Sequence, residues 1–92
     1  MRILLVDPPF HRFMDFYRHY YPLGLAYIAS VLARQNHVVR IYDAEHDPKT
    51  MPRTYLEATD DYIKYLDDVS KREHPIWSEV RREISAFRPD FV

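Results

Sequence analysis

The chain has 92 residues, of which 47% are hydrophobic and 15% aromatic, so it can form one small domain and is too apolar to be disordered. Its net charge of −1 creates no overall field that would attract nucleic acid or an anionic membrane. The chain contains no cysteine, which excludes disulfides, iron–sulfur ligation, thiolate zinc sites and cysteine nucleophiles within it.

The amino-terminal residues do not have the pattern of a signal peptide. Arg2 leads directly into a strand-length apolar run, and no small-residue cleavage site follows. The longest mostly apolar run, residues 23–33, is much shorter than a bilayer span. We therefore expect a cytoplasmic protein with no membrane partner.

The first 43 residues predict a β-loop-α-β unit. Residues 2–6 are apolar without alternation, as in a strand of a parallel sheet, and Pro8 and Pro9 end that strand. A helix is predicted from Pro22 or Leu23 to Gln35, with Asn36 as a left-handed cap, and a second strand covers residues 38–42 and ends at Asp43.

The loop between the first strand and the first helix is about fifteen residues, well above the usual length of such connections. In open α/β sheets, ligands bind beyond the carboxyl ends of the strands, where this loop begins. Five arginines against two aspartates make residues 1–42 the positive part of the chain, which modestly favours an anionic ligand. The loop is therefore the first candidate for a binding site.

The second half predicts two helices and the start of a third strand. Residues 44–53 contain two prolines and read as an irregular connection. An amphipathic helix follows, with apolar residues at helical spacing: Tyr55, Leu56, Tyr62, Ile63, Leu66 and Val69. His74-Pro75 interrupts it, and a further helix carries Trp77, a predicted core residue, before Pro89 ends it and residues 90–92 begin a strand.

Two strands are few for an α/β domain with three helices, because the sheet would keep uncovered edges. We expect residues 1–92 to be the front part of a larger domain. The alternative is a mini-protein that completes its sheet by dimerising. In either case the exposed sheet edge predicts possible self-association.

Three motifs in this order resemble one kind of domain. They are Ile-Leu-Leu-Val-Asp-Pro-Pro-Phe at residues 3–10, Tyr-Pro-Leu-Gly-Leu-Ala-Tyr-Ile at 21–28, and Val-Val-Arg-Ile-Tyr-Asp at 38–43. Together with Arg-Pro-Asp at 88–90, they resemble the amino-terminal cobalamin-binding domain of cobalamin-dependent radical S-adenosylmethionine enzymes. The resemblance covers essentially the whole chain and is weakest between residues 44 and 75.

The resemblance implies a flavodoxin-like (Rossmann-like) α/β fold with flanking helices and strand order 2-1-3-4-5. This chain would hold the first two strands and the start of the third, as the amino-terminal portion of a cobalamin-binding domain. The residues implied to line the lower face of the corrin are Asp7, Pro8, Pro9, Phe10, Tyr21, Pro22, Leu23 and Gly24.

The implied cofactor is cobalamin, and the implied partners are this corrinoid and the remaining domains of the parent enzyme. The parent would be a methyltransferase or a cyclase-like relative. Its iron–sulfur cluster and S-adenosylmethionine would lie outside this chain, which would itself perform no catalysis. Corrinoid domains with a protein imidazole below the cobalt use Asp-x-His-x-x-Gly, but Tyr21 stands at the histidine position if Gly24 is the glycine. We therefore expect water or no ligand below the cobalt.

Two other functions remain open from the sequence. A stand-alone flavodoxin-like or receiver-like interaction protein would need an acidic pair after the first strand, and Asp7 supplies one acid. A metal-binding hydrolase fragment could be built on His11, Asp15 and His19, since imidazole and carboxylate suit zinc or iron. The more ordinary interpretation of these three residues is a solvated loop.

The segment after the second strand, Asp43 to Asp47, is predicted to be a polar loop. Its functional alternative is that Asp43 or Glu45 accepts hydrogen bonds from a ligand, as acids at this strand end do for ribose. Dinucleotide binding is not expected, because Gly24 is the only glycine and no Gly-x-Gly-x-x-Gly turn can form. Arg12, in the first loop, is expected to be solvated.

Overall fold

The computed structural model describes residues 1–14, 21–46 and 62–92. They form a mixed α/β structure, as predicted, whose elements in chain order are β1 (Arg2–Asp7), a 3-10 helix (His11–Met14), α1 (Leu23–Arg34), β2 (Val38–Asp43), α2 (Tyr62–Asp68) and α3 (Pro75–Phe87). In this described part of the chain, no helix has the length and apolar character needed to cross a membrane.

The sheet has two parallel strands, β1 and β2, joined through α1. Their register pairs Arg2 with Val38 at the start and Asp7 with Asp43 at the end. Because the two strands end at the same level, the segments that follow Asp7 and Asp43 leave from one edge of the sheet. This confirms the predicted β-loop-α-β unit.

The segment at residues 90–92 lies along the other edge of β1. Phe91 forms a parallel bridge with Ile3, and its carbonyl oxygen accepts from the amide of Leu4 at 2.9 Å. The amide of Val38, in contrast, donates to the carbonyl of Met1 on the β2 side. β1 is therefore central between β2 and residues 90–92, where the sequence predicted a third strand to begin.

α1 starts and ends close to the predicted positions. Pro22 precedes its first residue, and Asn36 has a φ of 66°, the left-handed conformation expected of a cap. The helix ends at Arg34, one residue before the predicted end. α1 lies along both strands, but none of its residues is buried.

The His74-Pro75 pair starts α3 instead of only interrupting a helix. Proline suits the first helical position because that position needs no amide donor, and the Nδ1 of His74 accepts from the amide of Ile76 at 3.2 Å. α3 ends at Phe87, and the capping residue Arg88 has a left-handed φ of 53° and an amide that donates to the carbonyl of Ile84. The predicted amphipathic helix is described only from Tyr62 onward, and residues 55–61 of that prediction lie outside the described residues, as do residues 47–53 of the predicted irregular connection.

The core is small and lies mainly between the sheet and α3. Its buried apolar residues are Ile3, Leu4, Phe13, Ala44, Ile76, Val80 and Phe87. Arg2 closes one end, with its guanidinium 4.4 Å from the ring centroid of Phe87 and donating to the Phe87 carbonyl. Trp77, predicted to be a core residue, is half-buried; its indole N–H donates to the carbonyl of Val69 at 2.7 Å.

Candidate functional site at the carboxyl edge of the sheet

The carboxyl edge of the sheet brings together the two loops that the sequence analysis selected. Asp7 and Asp43 are register partners at the ends of β1 and β2. The amide of Ala44 donates to the carbonyl of Asp7 at 3.0 Å, which holds the start of the second loop against the first. The candidate site is therefore built on two adjacent strand ends, where parallel sheets usually bind ligands.

Glu45 is a buried residue that binds the backbone of the first loop at this edge. Its side chain is only 4% exposed and accepts hydrogen bonds from the amides of Phe10, His11 and Arg12. The Nδ1 of His11 lies 2.6 Å from the same carboxylate. A carboxylate at the start of a short helix satisfies amides that the helix itself leaves unpaired. Glu45 thus holds the first turn of the 3-10 helix, which assigns it a structural role and not that of an open ligand acceptor.

Arg12 is engaged with the protein interior, so the expectation of a solvated side chain was wrong. Its guanidinium contacts both carboxylate oxygens of Glu79 on α3, at 2.5 and 3.1 Å, and also donates to the carbonyl of Ala44. This two-point contact with Arg12 lowers the pKa of Glu79. The pair links the first loop to α3 and fixes the loop from a second side.

β2 and α3 are joined by a matched pair of polar contacts. The hydroxyl of Tyr42 donates to Glu79 at 2.5 Å, and the guanidinium of Arg40 donates to Glu83 at 3.2 Å. Two residues along a strand and four along a helix both advance about 6 Å, so the two contacts fit side by side. Burial, followed by the hydrogen bond to Glu79, raises the pKa of the Tyr42 phenol above its ordinary value of 10.

An open pocket of about 430 Å³ lies beside these contacts. Charged and polar residues line it together with two tyrosine rings: Tyr21, Arg40, Tyr42, Asp43, His46, Glu79 and Glu83. One carboxylate oxygen of Asp43 accepts from the amide of Glu45 at 3.0 Å, so Asp43 also supports the turn after β2. Tyr21 is the member of the predicted corrin site that borders this pocket.

The predicted corrin-lining residues are distributed along the carboxyl edge. Asp7 ends β1, Pro9 is buried, and Pro8 is exposed. The apolar residues Phe10, Tyr21 and Leu23 keep 39%, 60% and 62% of their surface exposed. Pro22 is half-buried at the start of α1.

Gly24 and Phe10 mark two different parts of this edge. Gly24 is exposed in the first turn of α1, and apart from its chain neighbours and the backbone of its own helix nothing lies within 4 Å of the position a Cβ would take. Phe10 instead contacts Tyr65 of α2, with ring centroids 4.7 Å apart. The structure therefore places the predicted residues at one edge without enclosing them in a single pocket.

The hypothesis of a metal site in the first loop finds no support in the described residues. Asp15 and His19 lie outside them, and His11 is paired with Glu45. Across residues 1–14, 21–46 and 62–92, no three histidines or carboxylates are grouped as a metal ion requires.

Sequence reasoning missed Glu79 and the structural role of Glu45. A partial signal for the first existed, because Arg40 and Tyr42 alternate with apolar residues in β2, and Glu79 and Glu83 are one helical turn apart. For Glu45 no pattern in the sequence distinguishes it from its acidic neighbours.

Comparisons of the chain with family models, curated proteins and solved structures found no match.

Proposed function

We propose that this chain is part of a cobalamin-binding module whose carboxyl sheet edge forms one wall of the corrin site. The α/β architecture is compatible with a flavodoxin-like domain, since β1 lies between β2 and residues 90–92. In the parent enzyme, cobalamin would carry a methyl group or tune a radical reaction, and the cluster and S-adenosylmethionine would be held by other domains.

The observation that carries the proposal is the exposed apolar surface at the start of α1. Leu23 and Tyr21 expose about three-fifths of their surface to water and lie two residues apart in the chain, and neighbouring exposed apolar side chains of this kind favour a binding surface. Gly24 adds a position with no side chain and open space above it. These residues fit one face of a corrin ring, which is broad, apolar and rigid, because a flat ligand needs a wall without projecting side chains.

The rigidity of the neighbouring loop supports the same function. The carboxylate of Glu45 accepts hydrogen bonds from the backbone amides of Phe10 and His11. The side chain of the following residue, Arg12, contacts Glu79 and so connects the loop to α3. Phe10 is therefore held in place while its ring remains partly exposed. A pre-positioned aromatic ring loses little conformational entropy when a ligand packs against it.

In this proposal the side chains of this chain bind the corrinoid and take no part in the reaction of the parent enzyme. The imidazole of His11 is paired with Glu45. The chain supplies a wall that excludes water from one corrin face.

The direct test is a spectrophotometric titration of the 92-residue chain with hydroxocobalamin, followed by gel filtration to remove free corrinoid. We expect co-elution near one equivalent. Leu23→Asp is expected to weaken binding at least about tenfold, because a carboxylate would be desolvated against the ring. The matched control is Val38→Asp, which introduces the same charge at an exposed apolar residue at the opposite end of β2.

Two outcomes would contradict the proposal. One is a chain that is folded by circular dichroism and elutes without corrinoid. The other is equal loss of binding in Leu23→Asp and Val38→Asp, which would show that the start of α1 has no special part in it.

A further inference from the structure

The open pocket of about 430 Å³ at the end of β2 is distinct from the proposed corrin wall except at Tyr21, which borders both. We call it the β2 pocket, and its volume is in the usual range of small-molecule sites. Asp43 lines it from the carboxyl end of β2, the position from which an acid binds ribose hydroxyls in dinucleotide folds. The structure thus decides between the two acids that the sequence offered for this role, because Glu45 is buried against the first loop.

Asp43 is held in a fixed turn and keeps one carboxylate oxygen for a ligand. Its Oδ1 accepts from the amide of Glu45 at 3.0 Å, and its carbonyl accepts from the amide of His46 at 3.3 Å. Within residues 1–14, 21–46 and 62–92, no donor reaches the second oxygen, Oδ2. A half-buried acceptor that is already oriented loses little conformational entropy when a ligand donates to it.

Arg40 and Glu83 add a donor and a second acceptor to the same pocket. One terminal nitrogen of Arg40 donates to Glu83 Oε2 at 3.2 Å. In the described part of the chain, the other guanidinium nitrogens of Arg40 and the Oε1 of Glu83 have no hydrogen-bond partner. The β2 pocket therefore presents donors and acceptors side by side.

The charges of the β2 pocket select against both anions and cations. Three carboxylates and one guanidinium line it, so a phosphate or carboxylate ligand would meet a net negative wall. Arg12 already pairs with Glu79, and Arg40 with Glu83. An ammonium ligand would lie close to the Arg40 cation and offer no acceptor to its donors. A hydroxyl group both donates and accepts, so it can donate to Asp43 while it accepts from Arg40.

Tyr21 supplies the apolar contact that a sugar ring needs. Its side chain is 60% exposed, and it has no hydrogen bond or ring contact with any other described residue. The face of an aromatic ring is electron-rich and attracts the C–H groups on the flat side of a sugar. The same ring can stack on a nucleobase.

We propose that the β2 pocket binds a neutral ligand through vicinal hydroxyls of a sugar ring. Asp43 accepts from one hydroxyl, Arg40 donates to its neighbour, and Tyr21 packs against the ring. The sugar is either free or the ribose of an unphosphorylated nucleoside. This inference does not depend on corrinoid binding, and it is tested in the absence of corrinoid.

An NMR titration of the backbone amide shifts of the 92-residue chain tests the ligand and reports at the same time that the chain is folded. Because the pocket is open, we expect a dissociation constant for adenosine on the order of 0.1–1 mM, with the largest shifts near Asp43. 2′,3′-Dideoxyadenosine, which lacks both hydroxyls, should bind at least about tenfold more weakly. Adenosine 5′-monophosphate should also bind more weakly, because its phosphate meets the carboxylates.

Methyl β-riboside distinguishes the two sources of the sugar. It has the same furanose ring and hydroxyls as adenosine and lacks the base. Binding as tight as that of adenosine identifies a free sugar as the ligand, because the base then adds nothing. Binding at least about tenfold weaker identifies a nucleoside, since base stacking on an aromatic side chain contributes an amount of this size.

Two pairs of variants test the residues. Asp43→Asn keeps an oxygen for the Glu45 amide and replaces the free acceptor by a donor, so it should weaken adenosine binding at least about tenfold. The matched control is Asp67→Asn, at an exposed carboxylate of α2 that does not line the pocket. Tyr21→Ala should also weaken binding, and Tyr21→Phe, which keeps the ring, should restore it.

The proposal is overturned if the folded chain shows no amide shifts with adenosine or methyl β-riboside up to about 10 mM, well above the expected dissociation constant. It is also overturned if 2′,3′-dideoxyadenosine binds as tightly as adenosine, or if adenosine 5′-monophosphate or propylamine binds more tightly. Equal loss of binding in Asp43→Asn and Asp67→Asn would contradict the assignment of Asp43.

Discussion

At the level of single residues, the buried carboxylate of Glu45 shows how this chain stabilises a charge inside a small core. An isolated buried carboxylate is strongly unfavourable, and here three backbone amides and the ring of His11 surround it. The arrangement uses amides that the short helix at residues 11–14 leaves without partners. The geometry of the first loop therefore depends on an acid that lies in the second loop.

Glu45→Gln is expected to lower the free energy of unfolding by about 1–3 kcal/mol, because the neutral amide turns one donor toward amides that need an acceptor. Glu73→Gln, the same change at an exposed glutamate, should have an effect within ±0.5 kcal/mol. Urea unfolding monitored by Trp77 fluorescence measures both. Equal effects in the two variants would show that the Glu45 contacts do not stabilise the loop.

Glu79 should make stability depend on pH. Arg12 holds the folded-state pKa of Glu79 below its ordinary value of 4.5, so the ionised form stabilises the fold. This contribution is complete above the unfolded pKa and is lost as the pH falls through the lower folded pKa. The difference in unfolding free energy between wild type and Glu79→Gln should therefore shrink between pH 7 and pH 3, as measured by urea unfolding at each pH. A difference that stays constant would exclude this role.

At the level of secondary-structure elements, the chain ends its helices with residues other than glycine. Asn36 and Arg88 both have positive φ, and the strain is larger at Arg88 because asparagine adopts the left-handed conformation more readily than arginine does. The amide of Arg88 donates to Ile84, and its carbonyl accepts from Arg2. These backbone contacts keep the left-handed conformation despite its cost.

The same substitution at two positions of α3 should have opposite effects. Arg88→Gly is expected to raise the unfolding free energy by about 0.5–1 kcal/mol, because glycine accepts positive φ without strain. Arg81→Gly, inside the helix, should lower it by about 1 kcal/mol through lost helix propensity. Urea unfolding of both variants checks the pair. A destabilised Arg88→Gly would mean that the arginine side chain, and not the backbone, matters there.

At the level of the whole molecule, a small core coexists with large exposed apolar surfaces. Seven apolar residues form the core of the described part of the chain, while Leu23, Tyr27 and Ile63 are each more than 60% exposed. A structure with so little buried surface has modest stability. Any ligand or partner that covers the exposed residues should therefore have a clear effect on folding.

Hydroxocobalamin at a hundred times its dissociation constant should raise the unfolding free energy by about 2.7 kcal/mol, if it binds only the folded chain. Leu23→Asp should show a smaller increase at the same concentration. Thermal unfolding followed by far-ultraviolet circular dichroism, with and without corrinoid, measures this linkage. An increase of the same size in wild type and variant would indicate binding elsewhere on the chain.

The architecture could largely be predicted because it follows from local patterns. The apolar run of residues 2–6 and the turn at Asn36 each specify their conformation through neighbours a few residues away. The sequence indicated Pro75 only as an interruption between two helices, whereas in the structure it is the first residue of α3, with His74 as the cap. The exposure of α1 was also predictable in part, since three strand-like segments offer little surface to cover an apolar helix.

The sequence by itself determined the order of the elements, the parallel β-α-β unit and the carboxyl edge where the candidate residues lie. Only the tertiary structure decided that Glu45 supports the first loop and that Arg12 reaches Glu79, 67 residues later in the chain. The physical reason is the distance along the chain over which each kind of interaction acts. Helix and strand periodicity and caps act over a few residues, whereas the partner of a buried charge is set by which distant segments pack together.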